Sequence, residues 1–143
     1  VGGGMGVDGA DPARKPPRLD GSIIAVLATD APLLPIQCRR LAQRAGVGLA
    51  RVGGTGHNGS GDMLLACSTG NDLPPDAAGP VPVHMLPSVQ MDALFDAAAE
   101  AVEEAILNAL VAAGTMTGFK GRTAYALPHD LLLQAMQKYG RRG

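Results

Sequence analysis

From Ser22 to Thr29 the chain reads SIIAVLAT, a dense run of apolar and β-branched residues that predicts a buried strand. Pro32, which lacks an N–H and restricts Ala31, ends that run. From Leu33 to about Val52 the apolar positions Leu34, Cys38, Leu41, Ala45, Val47 and Leu49 fall mostly on one face, with Arg39, Arg40, Gln43 and Arg44 on another. This pattern predicts an amphipathic helix, frayed or bent near Gly46 and Gly48. Arg51–Asp62, RVGGTGHNGSGD, is a glycine-rich loop that empties into a second buried-strand run, Met63–Thr69. Pro- and Gly-rich sequence follows, with Val81–Leu86 as a candidate edge strand. The clearest helical period comes next, through Met91, Leu94, Ala98, Val102, Ala105, Ile106, Ala109, Leu110 and Ala113. Asp92, Asp96, Glu100, Glu103 and Glu104 give that helix a charged solvent face concentrated toward its N-terminal half. Pro128–Tyr139 predicts a last short helix, with Pro128 in its first turn and Gly140 at its end.

Ahead of the first strand, residues 1–21 hold six glycines and three prolines with no apolar period. They read as a flexible tail or linker before a domain over residues 22–143. The order of strands and helices fits part of a layered α/β fold better than a closed barrel. Composition sharpens this: with no Trp, two Tyr and two Phe, aliphatic side chains and Ala must supply nearly all the buried area. Such a chain suits one layer that needs another to cover it. The net charge of -1, with short clusters at Arg39, Arg40 and Arg44 and at Lys138, Arg141 and Arg142, lacks the broad basic field of a nucleic-acid binder. No apolar run reaches the length of a membrane span. Cys38 and Cys67 form no CxxC pair and are expected to be buried thiols. The N-terminus lacks the basic start and apolar core of a signal peptide, which favours the cytoplasm. Since Val1 is not an initiator Met, that holds only for a natural start, and a periplasmic location is the alternative.

Several segments invite chemistry. The loop Gly53–Asp62 resembles an anion nest, but it has no Gly-Lys-Ser/Thr and leads to a strand rather than a helix, which argues against nucleotide binding. His57, His84 and His129 lack metal-ligand spacing and are read as structural or surface residues, His57 standing out because it shares the glycine-rich loop. No cofactor or metal is expected. Ser22 is either the plain first residue of a strand or a nucleophile. Cleavage of the Gly21–Ser22 bond would give it a free α-amine, whose ordinary pKa of about 7.7 suits a general base at neutral pH. Gly21, without a Cβ, permits the strained backbone of an N-to-O acyl shift. Ser60 and Asp62, two apart, share one side of an extended segment. They bring a hydroxyl and a carboxylate to one place, unless Asp62 merely caps backbone N–H groups while Ser60 faces solvent.

Asp-Gly-Ser-Ile-Ile at 20–24, Ala-Thr-Asp-Ala-Pro-Leu-Leu-Pro at 28–35, Asn-Gly-Ser-Gly-Asp at 58–62 and Ser-Thr at 68–69 resemble the L-aminopeptidase/D-esterase family, which includes the β-peptidyl aminopeptidases. So do Ala-Ile-Leu-Asn-Ala-Leu at 105–110, Thr-Met-Thr-Gly at 115–118 and Ala-Leu-Pro-His-Asp at 126–130. The resemblance runs from about Asp20 to Gly140. It implies a precursor that cuts itself before a serine into a longer α-chain and a shorter β-chain. The implied fold is an αββα sandwich resembling N-terminal-nucleophile hydrolases, only part of which lies in this chain. By the same resemblance Ser22 is the nucleophile, Ser60 the second active-site serine and Asp62 their acidic partner. The implied activity is aminopeptidase or amidase/esterase turnover through an acyl-enzyme on small peptides, amino-acid amides or esters. The α-chain portion is the implied partner, with an oligomer of α/β pairs, and it would supply the oxyanion asparagine.

Residues 1–19 contain nothing to replace that asparagine, so the chain is expected to be a precursor fragment, inactive and poorly folded alone. Gly114 also departs from the family, standing where relatives often carry an acidic residue before Thr-Met-Thr-Gly, and is expected to loosen the end of the long helix. Two alternatives remain: an acyltransferase of the same broad fold, which would use threonine where Ser22 stands, and a degenerate relative that keeps the sandwich without the site.

Overall fold

The computed structural model describes residues 21–140, so the expected tail lies, apart from Gly21, outside the described residues, as do Arg141 and Arg142. The chain divides into two compact units, one over Leu19–Glu104 and one that includes Ala105–Gly143.

In the first unit β1 (Ile24–Thr29) passes through α1 (Pro35–Arg51) to β2 (Met63–Ser68), and the two strands pair in parallel from Ile24↔Met63 to Thr29↔Ser68. Parallel neighbours need a crossover connection, and α1 is that crossover. Pro35 starts the helix where its missing N–H costs nothing. Gln37, buried, accepts the Leu34 N–H through Oε1 and donates through Nε2 to the Leu86 carbonyl at 2.6 Å. The Leu34 side chain carries no acceptor, so only this reverse half of a capping box forms. One sheet face turns Leu27 and Ala66 toward a core of Leu33, Leu41, Met91, Phe95 and Ala98, the last three from α2 (Met91–Ala112).

The other sheet face is open. Its apolar side chains remain largely exposed, Ile24 at 67% and Val26 at 61% on β1, Met63 at 59% and Leu65 at 58% on β2. Strands predicted to be buried on both sides are thus covered on one. A helix layer on a sheet layer with a bare apolar face is half of an αββα arrangement, matching the fold expected from the sequence.

Other expectations need correcting. Gly46 and Gly48 do not bend α1, which runs unbroken to Arg51; a Cβ on Gly48 would stand 2.4 Å from the Ala99 carbonyl oxygen, so this glycine lets α1 and α2 touch. On the arginine face of α1, Arg40 and Arg44 lie over the Phe95 ring at 5.1 and 4.2 Å. Val81–Leu86 forms no strand; the Asn71 side chain holds the His84 N–H and carbonyl and takes the place of a ladder. Cys67 is exposed on the open face and Cys38 half-buried, where burial pushes its thiol pKa up.

In the second unit α2 completes its last turns, and β3 (Met116–Thr117) and β4 (Thr123–Ala124) form a short antiparallel hairpin that the periodicity did not predict. Its turn places Lys120 and Gly121 at positive φ. The Thr117 and Thr123 hydroxyls meet at 2.9 Å across it. α3 (His129–Lys138) follows, with Pro128 as its N-cap rather than its first turn, and the His129 ring reaches the Val111 carbonyl near the C-terminus of α2 at 2.9 Å. Beside Gly114, α2 holds its order to Ala112 and adds an Ala113 N–H bond to the Ala109 carbonyl. No helix among the described residues is long and apolar enough to cross a membrane.

Candidate active site

Ser22 stands just before β1 and Ser60-Gly61-Asp62 just before β2, so the parallel register brings them together. The ladder continues past the strand ends, with the Met63 N–H donating to the Ile23 carbonyl at 2.9 Å. The Gly61 N–H donates to Ser22 Oγ at 3.0 Å and fixes its position. A Cβ on Gly61 would lie 3.3 Å from that oxygen, closer than ordinary contact, so glycine is what admits the approach.

Ser60 reaches both ways. Its Oγ lies 2.7 Å from the Gly21 carbonyl oxygen and 2.7 Å from Asp62 Oδ1. A hydroxyl has one proton, so it donates to one of these acceptors at a time. Asp62 Oδ1 also accepts the Ile23 N–H at 3.2 Å. Asp62 therefore does cap a backbone N–H, as the plainer reading of the sequence held, and orients Ser60 as well. Ser60 does not simply face solvent. Its own N–H bonds to the His57 carbonyl at 2.8 Å, closing the turn that delivers it.

All three predicted residues line one cavity of about 270 Å³, together with Gly21, Leu49, Thr55 and His57. His57 Nε2 lies 3.3 Å from Thr55 Oγ1. His84 and His129 lie outside this cavity; the His84 backbone bonds to the Asn71 side chain, and the His129 ring to the Val111 carbonyl. Sequence reasoning missed two backbone members: the Gly61 N–H, hidden in the Asn-Gly-Ser-Gly-Asp motif, and the Gly21 carbonyl. Among the described residues no group of three or more His, Cys, Asp or Glu comes together to hold a metal. The arrangement offers an exposed hydroxyl held by a backbone donor, a carbonyl carbon in the residue before it, and a second hydroxyl on that carbonyl's oxygen.

The family profile for peptidase family S58 matches residues 3–124. The chain belongs to peptidase family S58. Within that family it is 50% identical over 123 residues to a β-peptidyl aminopeptidase of Sphingosinicella microcystinivorans, covering 85% of this chain and 31% of that protein. Among solved structures, a Pyrococcus horikoshii protein superposes with a TM-score of 0.80 at 50% identity, over 85% of this chain and 34% of the other. The L-aminopeptidase D-Ala-esterase/amidase of Ochrobactrum anthropi, described as a variant of the N-terminal-nucleophile hydrolase fold, matches with a TM-score of 0.80 at 40% identity, over 89% of this chain and 36% of the other. The chain shares this α/β fold and spans about a third of the length of these relatives.

Proposed function

We propose that this chain carries the nucleophile of an N-terminal-serine aminopeptidase or amidase, formed when the Gly21–Ser22 bond is cut and completed by an α-chain portion. The observation that carries this reading is the contact of Ser60 with the carbonyl oxygen of the very bond to be cut, while Gly61 holds the attacking Ser22 hydroxyl.

In the first step Ser22 Oγ adds to the Gly21 carbonyl carbon, and the oxygen that becomes negative already faces the Ser60 hydroxyl. The C–N bond breaks, the serine nitrogen takes the proton that Oγ gives up, and an ester forms; water then releases a Gly21 carboxylate and a free Ser22 α-amine. In turnover the same Oγ attacks the carbonyl of a substrate's N-terminal residue. The α-amine, held by the Ser60–Asp62 network, takes the hydroxyl proton and returns it to the leaving amine. Water hydrolyses the acyl-enzyme and frees the amino acid. Residues 22–143 form the β-chain in this reading, and α/β pairs assemble further.

Mass and N-terminal analysis of the precursor, expressed from its natural start, tests the proposal. A β-chain beginning at Ser22, absent in Ser22→Ala, is the expected result. A natively folded precursor that stays uncut would overturn it.

A further inference from the structure

The cavity at Ser22 has two chemically different sides. Asp62 is the one carboxylate in its lining; Oδ1 is engaged by Ile23 and Ser60, while Oδ2 takes no hydrogen bond from the described residues. On another side run Thr55, Gly56 and His57. Here the backbone N–H groups donate to no carbonyl among the described residues, unlike those of Gly53 and Gly54, which bond to Ala50 and Leu49. The His57 ring engages Thr55 through Nε2, which leaves Nδ1 without a partner among the described residues. An imidazole offers one N–H when neutral and two when protonated. The wall thus supplies donors and no fixed negative charge, opposite a carboxylate, around a space of about 270 Å³.

Building on the serine-nucleophile reading, we infer that this wall receives the free carboxylate of a very short peptide, His57 being the specificity-determining residue. The preferred substrate is then a dipeptide with a free C-terminus: its scissile carbonyl faces Ser22, and its terminal carboxylate faces Thr55–His57. Amide or ester substrates without that carboxylate still meet Ser22 but leave the wall unused. The loop connects the two functions, since the His57 carbonyl also holds the Ser60 N–H.

The test uses the complete, self-cut protein and two substrates: a dipeptide of two small residues and the same dipeptide amidated at its C-terminus. The measured quantity is the ratio of their kcat/KM values. A preference for the free acid of about tenfold is expected, as for a hydrogen bond to a charged group, with the ratio falling toward one in His57→Ala and partly restored in His57→Gln. A ratio near one in the unaltered enzyme, or one unchanged by His57→Ala, overturns the inference. Should the variants misfold, product inhibition of the unaltered enzyme decides: the free leaving amino acid must inhibit more strongly than its amide, and equal inhibition overturns the inference. Loss of all turnover and of the Gly21–Ser22 cut in the unaltered protein would instead strike the nucleophile reading itself, and this one with it.

Discussion

Ser60 shows how much one hydroxyl proton decides. Two acceptors stand at equal distance from it, a carbonyl and a carboxylate, and the proposed self-cleavage would draw on the first while orientation draws on the second. Ser60→Ala removes the donor at the developing oxyanion and should slow the Gly21–Ser22 cut on the order of a hundredfold, followed by the appearance of the β-chain on a denaturing gel. Asp62→Asn keeps an oxygen for the Ile23 N–H but loses the charge; the fold should persist by circular dichroism, while amide turnover falls by roughly a hundredfold. That Ser60 and Asp62 share one place was legible from their two-residue spacing, whereas the roles expected of Ser22, Ser60 and Asp62 came from the family resemblance alone. The Gly61 N–H and Gly21 carbonyl were not legible, since every residue has both groups and only the pairing of β1 with β2 selects these.

Helical periodicity located α1 and α2 well, because their apolar stripes are long and regular; what it missed were the contacts that cross between elements. Gly48 looked like a weak point within α1 and is instead where the carbonyl of Ala99 approaches. Gly48→Ala gains about 1 kcal/mol of intrinsic helix propensity but forces packed helices apart, at a cost of roughly 1–3 kcal/mol. In the complete protein the net effect should be a lower denaturation midpoint with an unchanged m-value. Phe95, absent from the predicted apolar stripe, is buried, and the guanidinium groups of Arg40 and Arg44 on the polar face of α1 lie over its ring. Val81–Leu86 had strand texture without a strand, since texture cannot supply a neighbouring ladder and the Asn71 amide satisfies His84 instead.

At the scale of the molecule, the scarcity of aromatic residues pointed to a layer in need of cover, and the bare face of Ile24, Val26, Met63 and Leu65 is that need in structural form. The isolated polypeptide should therefore melt without a sharp transition and hydrolyse no amide; cooperative unfolding together with substantial turnover would contradict this. Cys67, on the same face, gives a chemical report: a maleimide should label it readily in the isolated chain and slowly once the α-chain portion covers it. Cys38, whose thiol is held protonated to higher pH by burial, should lag behind Cys67 in the isolated chain. The register of β1 on β2 carries one more consequence. Ser22 and its partners belong to different strands, and a slip of a single residue would turn side chains to the opposite face and part them. If the proposed cut takes place, only a correctly aligned copy would sever its own backbone, and the cut would act as proofreading: misaligned chains would remain single, inert and distinguishable by size alone.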